Sequence, residues 1–388
     1  MDIKLFTQIL KDKNIDNYEK MKYKYKNDFM DFLENLKLLF YKELPIKDFY
    51  GNQLVFRQEG IDLNQNSVKL LLKSQNDKFG IKAAENEIIS TSAIENIDFD
   101  RKSVRNILKG LAPLDEMENR ILGQKKGLEF ISDPSNNITE ENIYKLYQMT
   151  IGDFLDENDK LLKGNFYRHD SVYIVSNKTE HTELDYHKVP EYVDKLINFI
   201  NTDDKINDLI KAAIIHFYIA YIHPYFDGNG RMSRFLHIWF LIQKGYESTL
   251  FLPFSELIQK EKPDYYKAFT LIEKNQSISG VTDITPFLKY FTDKIYNNIS
   301  FKSESDDILN TYHEIFKTGI ITEKETMLWN FVISFYGTEE FSTKQLEKDF
   351  GNAAYATIRN FVLKFTDLEL LTCTHYGNRV KYKIKYNL

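Results

Sequence analysis

Cysteine is nearly missing from this chain: Cys373 is the only one in 388 residues. An intrachain disulfide and a multi-cysteine metal site are therefore excluded, and the usage fits a reducing cytoplasm. Long apolar runs are missing too. The most apolar stretch, Phe235 to Ile242, is too short to cross a bilayer. Residues 1–30 are studded with Lys and Asp and hold no apolar h-region, so a cytoplasmic protein with no membrane partner is expected. A surplus of positive charge is also absent. The net charge is -6, which gives no general drive toward nucleic acid or an anionic membrane, although a local basic patch stays open. No Gly-x-x-x-x-Gly-Lys-Ser/Thr phosphate loop, no His-Glu-x-x-His zinc signature and no internal repeat occurs. What remains is the composition of a globular chain, long enough for two or three domains.

Apolar spacing organises that chain. Phe29, Phe32, Leu33, Leu36, Leu39 and Phe40 have helical spacing, which predicts helix ending near Pro45. Residues 46–80 read as irregular, and 85–110 as helix in two pieces. A long helical core is predicted from about Thr139 to Tyr296. It is interrupted between Gly164 and Pro190, where Val172-Tyr-Ile-Val175 reads as one arm of a hairpin. Two greasy segments, Ile206 to Ile222 and Phe235 to Gln243, read as buried central helices. His216, His237, Trp239 and Trp329 read as core. Lys302 to Asp307 is a candidate linker. Beyond it helix, Ser342 to Phe350, helix Ala353 to Phe365 and two strand-like runs about Tyr376-Gly-Asn378 follow the order of a winged helix-turn-helix.

Between the two central helices lies His223-Pro-Tyr-Phe-Asp-Gly-Asn-Gly-Arg-Met-Ser-Arg234. Transfer from a polyphosphate needs donors for phosphate oxygens, a cation, a base and a metal ligand. All occur within this stretch. Gly228, Asn229 and Gly230 stand before a helix, where backbone N–H groups attract an anion. Arg231 and Arg234 are three apart at its start, where positive charge is unfavourable unless something anionic sits opposite. Asp227 suits Mg²⁺, and His223 can take a proton from a hydroxyl. Singly, each piece reads as an ordinary turn or loop residue; the combination is specific.

On these residues the chain resembles the Fic family of protein nucleotidyltransferases, whose pattern is His-x-Phe-x-Asp/Glu-Gly-Asn-Gly-Arg-x-x-Arg. The one departure is Tyr225 for Phe. The resemblance extends over roughly Ser90 to Tyr296. Gly164-Asn-Phe-Tyr-Arg168 with Val172-Tyr-Ile-Val175 looks like the family's target-holding flap, Tyr265-Tyr266 like its pair near the adenine, and Pro286-Phe287 like the start of its last core helix. The flap carries an insertion around Asn177 to His187. By this resemblance His223 is the catalytic base and Asp227 holds Mg²⁺. ATP is expected against Asp227, Gly228, Asn229, Gly230, Arg231, Met232, Ser233, Arg234, Val172, Tyr173, Ile174, Val175, Tyr265 and Tyr266. The two arginines would take the outer phosphates.

Thr91-Ser-Ala-Ile-Glu95-Asn96 matches the family's inhibitory pattern Ser/Thr-x-x-x-Glu-Gly/Asn, in the subclass with an N-terminal inhibitory helix. There the glutamate pairs with the second arginine, here Arg234. The same residues also spell a capping box, Ser92-Ala-Ile-Glu95, in which Glu95 merely satisfies a helix start.

The expected fold is mainly α: a helical core with a short β-hairpin flap, plus a C-terminal winged helix-turn-helix. The expected domains are 1–110 with the inhibitory helix, 111–300 as the catalytic core, and 301–388 as the accessory unit. The expected function is self-inhibited transfer of AMP from ATP, with Mg²⁺, to a Ser, Thr or Tyr hydroxyl of a target protein docked at the flap, 169–190, or of the chain itself. Another nucleotide donor, de-adenylylation, and a DNA-binding regulator with a nucleotide-sensing core are the alternatives. Between Ile320 and Leu388 nine Lys/Arg stand against eight Asp/Glu, which is weak for DNA. Protein docking or a homodimer contact is therefore preferred for the last domain.

Overall fold

The computed structural model describes residues 2–63, 81–172, 175–176, 179–180, 184–246, 249, 252, 254–299, 312, 315–316, 318–336, 340–351, 353–377 and 379–385. The first helices, α1 (Ile3–Leu10), α2 (Tyr18–Tyr25) and α3 (Asn27–Leu39), pack Ile9, Tyr18, Met21, Phe29, Phe32, Leu33 and Leu36 into a small core of their own. The expected helical spacing is therefore present, but α3 stops at Leu39 rather than near Pro45. Pro45 lies instead in a strand, β1 (Tyr41–Lys47), paired antiparallel with β2 (Gln53–Arg57). This corrects the irregular reading of the stretch from 46 onward. Leu44 and Ile46 alternate inward, and Pro45 is tolerated because the pairing shifts register between Glu43 and Lys47.

The main core is helical. It begins with α4 (Ile81–Ile94) and α5 (Arg101–Leu108), the two expected pieces, and continues with α6 (Glu116–Ser132) and α7 (Glu140–Thr150). Thr139 caps α7, its side chain accepting from Asn142 N–H at 3.2 Å. The interruption follows, with β3 (Val175–Ser176) paired antiparallel to β4 (Thr179–Glu180), so a hairpin is present and, of the apolar run expected to form one arm, Val175 lies in it. Tyr173 and Ile174 lie outside the described residues. The core resumes with α8 (Val189–Asn201), α9 (Asp208–Ile222) and α10 (Asn229–Gln243). Helices α9 and α10 are the most closely packed pair and are buried almost all round. They are enclosed by α11 (Phe254–Lys260), α12 (Lys262–Ser279) and α13 (Thr285–Tyr290), the last continuing into one π turn at Phe291–Tyr296.

The N-terminal helices are tied to this core by charge as well as packing. Buried Arg57 reaches Asp16 at 2.5 Å and Asp283 at 3.1 Å, and Tyr18 donates its hydroxyl to the same Asp283 at 3.1 Å. At the C-terminal end α14 (Glu323–Phe335), α15 (Thr343–Phe350), α16 (Tyr355–Asp367) and the antiparallel pair β5 (Leu371–Tyr376) and β6 (Arg379–Ile384) enclose a separate core around Trp329, Phe361 and Phe365. A bridge between Phe341 and Tyr382 ties the start of α15 to β6. Helix α14 packs on α4, and Lys109 meets Asp349 at 3.4 Å. Three two-stranded sheets are thus present among the described residues, one more than expected. No described helix is long and apolar enough to cross a membrane.

Candidate active site

Helix α9 ends in a left-handed residue, and that residue is His223 (φ 51°, ψ 63°). Glycine is usual at such an exit, because a side chain costs about 1–2 kcal/mol in this conformation. A histidine kept there is strain that its surroundings hold in place. Arg168 supplies much of that support. Its Nε donates to the His223 carbonyl at 2.8 Å and its backbone N–H to the Pro224 carbonyl at 2.9 Å. The His223 Nδ1 stands 3.4 Å from the Ala220 carbonyl.

The loop then closes on itself. Tyr225 is buried and stacks on Tyr147, with ring centroids 3.8 Å apart and 7° between planes, so it fills the anchoring role expected of an aromatic. Asn229 Oδ1 accepts from Tyr225 N–H at 3.0 Å, and its Nδ2 donates to the Tyr225 carbonyl at 2.8 Å. The Asn229 amide is therefore a brace of the loop. Gly228 (φ 86°) opens α10, and a Cβ there would lie 2.6 Å from Ile151 Cδ1. Only glycine satisfies both the dihedral and the contact. The first-turn N–H groups of Asn229, Gly230 and Arg231 have no carbonyl within the helix to bond, the usual condition of an anion-binding helix start.

Two arginines project from that turn, and each meets a carboxylate of the chain. Arg231 Nη2 lies 2.9 Å from Asp227 Oδ2. The other Asp227 oxygen accepts from Gly228 N–H at 2.5 Å, and the Asp227 side chain stays 55% exposed. Arg234 is buried, 2% exposed, and its Nη2 lies 2.7 Å from Glu95 Oε1. Thr91 completes the hold. Its Oγ1 accepts from Arg234 Nε at 2.7 Å and its carbonyl from Nη2 at 3.0 Å. One edge of the guanidinium fork is thus fully occupied.

Glu95 lies just past the C-terminal end of α4, which rules out the capping-box reading. That reading needs a helix starting after Ser92, whereas Ser92 is in the last turn of a helix that began at Ile81. Asn96 is left-handed (φ 61°) as the helix exits, a place that asparagine tolerates well. Gly230 makes room for the pair, since a Cβ on it would overlap the Glu95 carboxylate. Burial pushes the Glu95 carboxyl up. The charge and hydrogen bond of Arg234, with Arg231 and Lys262 behind, outweigh that and leave it below its ordinary range.

A second carboxylate near this guanidinium went unread in the sequence. Glu87 is buried on α4, accepts from Ser255 N–H at 2.9 Å and from the Ser255 hydroxyl, and is pushed up by burial. The spacing Glu87, Thr91, Glu95 is the available signal, because residues four apart share a helix face.

The paired tyrosines part company. Tyr265 is buried, with its hydroxyl 2.8 Å from His216 Nε2. Its ring therefore has no open face for a base. Tyr266 is 45% exposed and keeps one. His216 and His237 are core residues as expected, and burial pushes His237 down to about 3. Met232 and Ser233 are buried on α10, where the Ser233 hydroxyl donates to the Gly230 carbonyl at 2.7 Å.

Residues 137–241 match the Fic/DOC family. The matched stretch takes in the hairpin and the His223–Arg234 loop, while Glu95, Tyr265 and Tyr266 lie outside it. Relatives are modestly similar. The protein adenylyltransferase Fic of Nematostella vectensis is 26% identical over 182 residues, which cover 44% of this chain and 36% of the relative. That of Drosophila ananassae is 22% identical over 282 residues, covering 66% and 52%. The chain therefore spans about a third to a half of the curated relatives it matches. Among solved structures, a Fic family protein from Desulfovibrio desulfuricans G20 is 18% identical with a TM-score of 0.47, over 84% of this chain and 98% of that one.

Proposed function

We propose that the Fic region transfers AMP from ATP to a Ser, Thr or Tyr hydroxyl of a protein, releasing pyrophosphate, and that Glu95 restrains it. One observation carries this reading. A strained histidine, a glycine-opened helix start and two arginines stand on a single braced loop, and the buried arginine of the pair is held by a carboxylate from another helix. With Nδ1 bearing its proton toward Ala220, His223 Nε2 takes the proton of the target hydroxyl. The hydroxyl oxygen then bonds the α-phosphorus, and the bond from that phosphorus to the bridging oxygen breaks. The N–H groups of Asn229, Gly230 and Arg231 stabilise charge on the α-phosphate oxygens. Tyr266 lies against the adenine. Modification of the chain itself follows the same chemistry.

Asp227 fits a divalent cation, being a half-exposed carboxylate beside the turn that would carry phosphate oxygens, the usual company of Mg²⁺. When bound, the cation neutralises phosphate charge. No group of three or more His, Cys, Asp or Glu among the described residues forms a cage of its own. The metal is therefore expected to need the nucleotide as co-ligand. Asp227→Ala should still bind ATP but lose transfer by about 10²-fold or more, as removal of one charge-stabilising group does. Full transfer by wild type in EDTA would remove the metal from the scheme.

Incubation of wild type and Glu95→Gly with labelled ATP, UTP, GTP and CTP separately, with mass spectrometry of the chain and of a lysate, tests the reading. An AMP adduct on the chain or on a lysate protein supports it; no nucleotidyl adduct anywhere, or one formed only from another nucleotide, defeats it. The three domains keep the boundaries 1–110, 111–300 and 301–388 in this proposal, the last as a winged helix-turn-helix that docks protein. Lys364 pairs with Glu325 and Lys385 with Glu369, while Tyr355 and Leu363 of α16 stand 43% and 47% exposed. Salt-dependent binding to random duplex DNA would favour the DNA alternative.

A further inference from the structure

Arg168 is 3% exposed, and its guanidinium reaches three backbone carbonyls from three separate stretches of chain. Nε donates to His223 at 2.8 Å, Nη1 to Asp170 at 2.9 Å, and Nη2 to Leu184. Asp170 precedes the hairpin β3–β4 and Leu184 follows it. One planar group therefore joins both ends of the hairpin to the residue that carries the imidazole. The Arg168 N–H adds a fourth tie, to the Pro224 carbonyl at 2.9 Å.

We propose that Arg168 is the positioning residue that sets the base of the hairpin against the His223 loop, so that a hydroxyl delivered along the hairpin meets the imidazole in line. This rests on the AMP-transfer reading for its functional consequence. The chemistry favours arginine alone. A guanidinium presents its donors in a rigid plane and keeps its charge, whereas a lysine ammonium is one point on a flexible stem and cannot span three divergent carbonyls. The carbonyl it holds on His223 belongs to the left-handed residue, whose conformation needs such support. A displacement of about 1 Å between hydroxyl and base is enough to cost roughly 10²-fold in rate.

The test uses the full chain carrying Glu95→Gly, with Arg168→Lys and Arg168→Gln added separately. Transfer from labelled ATP to protein, ATP affinity, thermal melting and amide hydrogen exchange are measured together. The expected result is a fall in kcat of about 10–10²-fold in both variants, with ATP affinity unchanged. Exchange should quicken in 184–188 and 221–226 while α4 and the first three turns of α9 stay as they were. Lysine should not rescue. Unchanged transfer overturns the proposal. So does exchange that quickens evenly through the core, or loss of a cooperative melt in both variants, because either makes Arg168 a general structural prop. If the Glu95→Gly parent labels nothing, the functional reading has failed, and the local pattern of exchange still decides whether Arg168 ties the hairpin to the loop.

Discussion

Replacing Glu95 by Gly should raise AMP transfer, self-labelling included, by about 10²-fold, the order of gain expected when a reacting group moves by roughly 1 Å into line. The argument starts from the guanidinium of Arg234. Its Nε and Nη2 already meet Thr91 Oγ1, the Thr91 carbonyl and Glu95 Oε1 within 3.0 Å. In the proposed reading a γ-phosphate needs the same fork, and a carboxylate and a phosphate would repel each other across it. ATP entering this site would have its outer phosphates displaced and its α-phosphorus misaligned. Removing the carboxylate frees one N–H of Nη2, while the Thr91 carbonyl and hydroxyl still orient the fork. Arg234→Ala should not imitate the activation, since it removes the phosphate ligand with the restraint.

Stability should move the other way. Breaking a fully buried ion pair costs about 3–5 kcal/mol, and less is expected here because 30% of the Glu95 side chain is exposed. The melting temperature should therefore fall modestly, and ATP should raise it more in Glu95→Gly than in wild type, because phosphate takes the place of the lost carboxylate. The proposed restraint should not act as a pH switch. Glu95 has a lowered carboxyl pKa in the folded chain. Its contribution is fully present above the ordinary carboxylate pKa and is lost only as pH falls through the lowered one. Transfer by wild type should thus stay restrained across neutral pH. Equal labelling by wild type and Glu95→Gly under saturating ATP would end the idea.

Contiguous candidate residues were legible in the sequence, whereas of the tertiary partnerships only Glu95 with Arg234 was anticipated, through the resemblance. The His223–Arg234 loop could be read because its candidate residues are contiguous and flanked by two apolar helices. Arg168 was legible as the end of the flap-like stretch, but its bonding was not. Its partners are backbone carbonyls, which every residue carries, so nothing in the letters at 170, 184 or 223 marks them. Glu95 was ambiguous for a different reason. Ser-x-x-Glu reads alike at the start and the end of a helix, and only the ten helical residues before Thr91 decide which it is. Tyr265 and Tyr266 are identical neighbours in sequence, and the hydrogen bond of one to His216 on another helix separates them. The strand β1 was hidden by Pro45, whose place depends on a register shift that only the partner strand reveals.

His223→Ala should lower transfer by about 10²–10⁴-fold, the usual contribution of a positioned base, while ATP binding persists, since in the proposed mode backbone N–H groups and arginines would hold the phosphates. His223→Gly sharpens the case. His223 occupies a left-handed helix exit (φ 51°) where glycine has no side-chain clash to relieve, at a saving of about 1–2 kcal/mol in the folded chain. Glycine also gains freedom in the unfolded chain, which offsets about 0.4–1 kcal/mol of that. The glycine variant should therefore be at least as stable as wild type and yet as inactive as the alanine one. A residue kept at a conformational cost, whose removal improves or preserves stability and abolishes the reaction, is there for its imidazole. Measured in the Glu95→Gly background, retained transfer by His223→Gly would show that the proton leaves by another route. A steep loss of melting temperature in His223→Gly would mean instead that the ring holds the loop together.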